Sequence, residues 1–196
     1  MKNAVIRKIK SYADFLKNNY IVVLLSCFFI IGIAAGALVF NNAIRSQNDL
    51  LMQFANSLSA DADHLAAFLN GLTVYFLYFA AISLLGTSLS GRYLLYIVPF
   101  IKGLSYGYIS SFIFAVFGTN GFAINLIGIL PQNVLTGIML IYACKLSVSF
   151  SKGFVEYNKK YRLRYFFLCI FVLFALCIIV SLMDVFLTDV VIKNYL

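Results

Sequence analysis

Charge is what this sequence has least of: 11% of its 196 residues are Asp, Glu, Lys or Arg, where a soluble domain carries roughly a quarter. Histidine occurs once, at His64, tryptophan not at all, and proline twice, at Pro99 and Pro131. A single histidine, no Ser-His-Asp or Cys-His pairing on one side of the membrane, and no phosphate-cradling glycine loop leave nothing from which to assemble an enzyme. No catalytic residue, metal ligand or cofactor is expected. Asp61-Ala62-Asp63-His64 offers metal-binding atoms but no second histidine, and acids just ahead of an apolar run are ordinary helix-entry chemistry. Cys27, Cys144, Cys169 and Cys177 all fall in apolar runs, with no Cys-x-x-Cys pair among them. They read as free thiols that fill space.

What is present is hydrocarbon. Hydrophobic residues make up 63% of the chain and mean hydropathy is +0.95, values of an integral membrane protein. From Gly103 to Cys144 there is no charged side chain. That run is about twice the ~20 residues a helix needs to cross a bilayer, so it must turn back once. Gly118-Thr119-Asn120-Gly121 supplies the turn, because glycine and Asn accept the positive φ of a tight reversal. Uncharged stretches at Tyr20 to Phe40, Leu65 to Leu89 and Tyr165 to Met183 add three more spans. The fold class expected is all-α: a single polytopic membrane bundle of about five transmembrane helices, near 20–40, 65–89, 97–117, 122–146 and 165–184. The first of these reads as a retained span, since its polar lead is long and Leu38-Val39-Phe40 continue past the Ala35-Gly36-Ala37 that resembles a cleavage site.

The net charge of +8 would suggest nucleic acid in a soluble protein. Here the basic residues cluster beside the spans, where they set topology and meet anionic lipid, so nucleic acid is rejected as a partner. Eleven Lys and Arg fall before span one, between spans two and three, and at 152–164 between spans four and five, while the other side holds Arg45 and Lys193. The N-terminus is therefore expected in the cytoplasm and the C-terminus outside. The largest external segment, 41–64, spaces Leu51, Phe54 and Leu58 as an amphipathic helix would. It suits the membrane surface or a partner, or equally the chain's own bundle.

Within the spans, Gly32 with Gly36 and Gly103 with Gly107 stand four apart, the spacing that lets helix backbones approach in lipid. Such faces serve contacts within one chain or a homo-oligomer equally. Lys102 and Lys145 lie in apolar runs, and both are long enough to reach the cytoplasmic surface; Lys102 could instead meet an internal partner or line a path. Pro131 lacks an amide proton and frees the carbonyl near Ile127, so span four should kink. Gln132 and Asn133 then either seal the break with their N–H groups or form a polar pocket of the kind transporters build at broken helices.

Phe100-Ile101-Lys102-Gly103, Gly107, Asn120-Gly121-Phe122 and Pro131-Gln132-Asn133, in that order, resemble the core hairpin of the stage II sporulation protein M family. The resemblance is clearest from Leu84 to Lys152. It implies a non-enzymatic scaffold of the machine that remodels peptidoglycan during engulfment of the forespore, placed in the mother-cell septal membrane. Implied partners are stage II sporulation proteins D and P, the wall-cutting enzymes. Leu51, Phe54 and Leu58 are the residues expected to dock them. The competing reading is a transporter, or a subunit that accompanies one, with its polar site at Gln132 and Asn133. A third is a membrane protein that shares only the hairpin.

Overall fold

The computed structural model describes residues 19–44, 64–88, 90–152 and 159–195, and every regular element among them is helical. In chain order these are α1 (Tyr20–Ile44), α2 (His64–Thr87), a single turn α3 (Gly91–Leu94), α4 (Ile97–Ile124), a π-helical turn (Asn125–Ile129), α5 (Leu130–Lys152) and α6 (Lys159–Tyr195). The chain is an all-α polytopic membrane bundle. The docking residues expected at Leu51, Phe54 and Leu58, and the Asp61-Ala62-Asp63 acids, lie outside the described residues.

Among the described residues, four stretches are long and apolar enough to cross a membrane, and one of them, Gly91–Ser151, runs 61 residues. Straight, it would measure about 90 Å at 1.5 Å per residue, three hydrocarbon thicknesses. It is folded in half at Gly118, whose φ of 56° and ψ of −129° interrupt α4. Beyond that residue the chain runs back along itself: a Cβ at Gly121 would lie 2.6 Å from the Ile113 carbonyl oxygen. Further from the tip, Ser110 Oγ donates a long 3.4 Å bond to Asn125 Oδ1. The turn expected over four residues is thus carried by one glycine, with helix on either side of it.

Paired positions give the direction of each rod. Gly32 meets Phe100 and Gly36 meets Leu104, so α1 and α4 run parallel. Ser147 Oγ donates to the Ile82 carbonyl at 3.3 Å and Ser151 Oγ to the Ser88 carbonyl at 3.1 Å, so α2 and α5 are parallel too. Phe76 and Phe79 stand against Phe174, while Phe150 stacks on Phe166 with centroids 4.5 Å apart, which sets α6 antiparallel to α2 and α5.

The closest packing is between α1 and α4. A methyl on Gly32 or Gly36 would stand 2.3 or 2.1 Å from the carbonyl oxygens of Phe100 and Leu104, and one on Gly103 or Gly107 would stand 2.2 or 2.1 Å from those of Phe29 and Ile33. The two four-residue glycine pairs face each other, so the backbones touch with nothing between them. Lipid tails are as apolar as leucine, and close backbone contact of this kind drives helix association in a bilayer. The sequence left open whether these glycines join one chain or two; within this chain they join the first rod to the third.

Two apolar cores fill the bundle. One lies toward the end where α2 and α5 finish, and includes Leu25, Tyr75, Ile82, Val98, Leu140, Val148 and Phe166. The other, toward the Gly118 tip, is built on Tyr106, Ile113, Ile124 and Ile129.

Candidate functional site

Between the two cores lies a layer of buried polar side chains. Along α4 the order is Val98 in one core, then Lys102, then Tyr106 in the other; along the returning strand of the hairpin it is Ile129, then Gln132, Asn133 and Thr136, then Leu140. Lys102 and Gln132 are 16 and 14 residues from Gly118 on opposite arms. At 1.5 Å per residue both lie a little over 20 Å from the tip, near the middle of a bilayer-sized bundle.

The break in the returning arm has a direct cause. Pro131 offers no N–H, and its ring crowds the carbonyl one turn earlier. The chain answers by widening that turn from α to π over Asn125–Ile129, and the Leu130 N–H reaches back five residues to the Asn125 carbonyl. Single π turns of this kind recur at functional sites. The neighbouring side chains bond back to carbonyls of their own helix. Asn133 Nδ2 donates to the Ile129 carbonyl at 2.9 Å. Thr136 Oγ1 bridges the carbonyls of Gln132 and Asn133 at 2.9 and 3.3 Å. Gln132 is 7% exposed, and its Oε1 has no donor among the described residues.

Lys102 points into the bundle. It is 9% exposed, and its Nζ lies 5.4 Å from the centroid of the Tyr75 ring on α2. A cation over a ring face gains from the ring quadrupole, more so when water is excluded. On α6 the Cys177 thiol stands 3.3 Å from Met139 Sδ on α5. Lys102 thus faces α2, whereas its neighbour Gly103 and Gly107 face α1. Lys145, by contrast, is half-buried beside Tyr142, 5.8 Å from its centroid.

Of the residues singled out by sequence, Lys102, Gln132 and Asn133 share this layer, Pro131 causes the break beside it, and Gly103 and Gly107 belong to the α1 contact. Sequence reasoning passed over Asn125, Thr136, Tyr75 and Ser147. Asn125 carries a usable signal, a lone amide in an apolar run six residues before a proline. Ser147 packs against Gly86, where an added methyl would come within 2.8 Å of its Oγ; that pairing joins residues far apart in the sequence and has no local mark.

No curated protein and no solved structure matches this chain. A family model, Stage II sporulation protein M, matches residues 24–189. The match takes in α1, the glycine contact, the hairpin, the polar layer and most of α6, and the chain belongs to the stage II sporulation protein M family, a family of sporulation-related membrane proteins.

Proposed function

We propose that the protein is a non-enzymatic membrane scaffold of the engulfment complex, which remodels peptidoglycan as the mother cell encloses the forespore. In this reading it crosses the mother-cell septal membrane five times, N-terminus inside and C-terminus outside. It recruits stage II sporulation proteins D and P through the external 41–64 segment, with Leu51, Phe54 and Leu58 as contacts. Support comes from the family match and from one structural observation above others: the α1–α4 glycine contact brings two helix backbones together with no side chain between them. A rigid body of this sort suits anchoring. The alternation of rod directions fits five crossings, and the basic residues at 152–164 favour that end as cytoplasmic.

A second reading, transport, is favoured by the buried Lys102 and by the unpaired Gln132 Oε1 in the same layer. The two readings separate on one pair of experiments. Affinity capture of the tagged protein from membranes of sporulating cells should recover both wall-cutting enzymes, and replacing Leu51, Phe54 and Leu58 together with Ser should lose them. Lys102→Met should leave that capture intact. Recovery of a permease or an ATPase instead, together with solute flux into proteoliposomes that Lys102→Met abolishes, would establish transport and end the scaffold reading.

A further inference from the structure

Away from the polar layer, α2 and α6 leave a groove of about 340 Å³ open to the bundle surface, lined chiefly by Phe76, Phe79 and Ala80 on one side and Phe167, Phe171 and Phe174 on the other. Its floor is buried, with Phe79 3% exposed, and its walls stand out, with Phe171 69% and Phe76 59% exposed. Both sides extend over about seven residues, so the groove is roughly 10 Å long.

The groove has a charged end. Arg164, Phe167, Phe171 and Phe174 recur at i, i+3, i+7 and i+10 and so share one face of α6. Since α2 and α6 are antiparallel, and Gly86 faces Phe166, exposed Arg164 stands where α2 finishes at Thr87. Lys159, Lys160 and Arg162 precede it in the first turn of the same helix. From Lys145 to Tyr165 the chain carries six basic residues against one carboxylate, Glu156. An apolar groove one helical turn from an exposed arginine, in a stretch this rich in basic residues, has the chemistry of a phospholipid with an anionic headgroup.

We infer that the α2–α6 groove is a binding site for an anionic phospholipid, with an acyl chain between the Phe76 and Phe171 walls and the phosphate at Arg164. Guanidinium holds phosphate oxygens in a two-pronged geometry. Basic pockets between transmembrane helices bind acidic headgroups by this combination of charge and confinement. The site is independent of whether the protein anchors enzymes or moves a solute.

The test uses the full chain in bilayers of equimolar phosphatidylcholine and phosphatidylglycerol, with spin-labelled versions of each lipid reporting the motionally restricted fraction. Phosphatidylglycerol should be held in preference to phosphatidylcholine. Arg164→Gln should lower that preference about fivefold, the effect of one basic residue near the surface. Ala80→Phe, which fills the groove and leaves every charge in place, should release the restricted phosphatidylglycerol. Phe171→Ala, which removes an exposed wall, should do the same where Ala80→Phe fails to fold. Equal retention of the two lipids by the unaltered protein would overturn the site. So would full preference in a folded groove variant, because the basic turn would then be attracting bulk lipid without the groove. Loss of a co-purifying protein from the groove variants, with lipid retention unchanged, would assign the groove to a partner and overturn it equally.

Discussion

The glycine contact between α1 and α4 makes the sharpest demand on the sequence. A Cβ on Gly36 would lie 2.1 Å from the Leu104 carbonyl oxygen, where ordinary contact begins at 3.4 Å, and the obstruction is backbone that no rotamer change can move. The helices must part by about 1.3 Å at that point, the difference between these two distances. A gap of 0.5–1 Å already forfeits a quarter to a half of each dispersion contact along the seam, and overpacking of well-fitted cores costs roughly 1–3 kcal/mol. Gly36→Ala should therefore destabilise by about 1–3 kcal/mol, and Gly36→Leu by the upper figure or more, a change of ~100-fold in the folded ratio. With no tryptophan in the chain, unfolding is best followed by circular dichroism during titration with SDS in mixed micelles. Gly71→Ala is the control, since its new methyl meets one movable atom, Ser181 Oγ at 3.1 Å. Gly36→Ala and Gly107→Ala together should lose less than their separate effects added, because helices already parted admit the second methyl. If Gly36→Ala unfolds with the same midpoint as Gly71→Ala, the close contact is not what holds the first rod to the third.

Gly118→Ala should destabilise by about 1–3 kcal/mol although no atom lies within 4 Å of the added methyl, because the cost is the positive φ itself; an unchanged midpoint in the same titration would place the reversal elsewhere. Asn133→Leu removes the donor to the Ile129 carbonyl and should cost about 0.5–2 kcal/mol, in line with hydrogen bonds measured inside membranes; no loss would show that this buried bond carries no stability. A maleimide added to the protein in detergent should reach buried Cys144 only after unfolding, and rapid labelling of Cys144 in the folded state would contradict the packing of α5 against its neighbours.

Much of the architecture was legible because its signals are local. The scarcity of charge and the lengths of the apolar runs require membrane-spanning helices whatever their neighbours, and the 42-residue uncharged run has to reverse. Gly118 marks where, because a non-glycine residue would be strained at its φ of 56°. Pro131 announces a break through its missing N–H, and the break appears one turn earlier as a π turn. The direction of Lys102 was not legible. A lysine five residues into a helix has a stem long enough to reach either the surface or the interior, and the choice rests on the Tyr75 ring, supplied by a helix 27 residues away in sequence.

The sequence by itself determined that the chain is a bundle of apolar helices, where the hairpin folds and which helix is broken, since each follows from the composition or dihedral freedom of a short segment. Tertiary structure alone decided which helices touch. Spacing of four identifies a glycine pair but not its mate, and only the fold sets Gly32 and Gly36 against Gly103 and Gly107. It also decided that polar residues far apart in the chain meet in one layer, and that two phenylalanine faces leave a groove between them. The physical reason is common to all three: in lipid every apolar face is equally acceptable to its surroundings, so partners are chosen by shape and by the pairing of buried polar groups, and neither can be read from one segment alone.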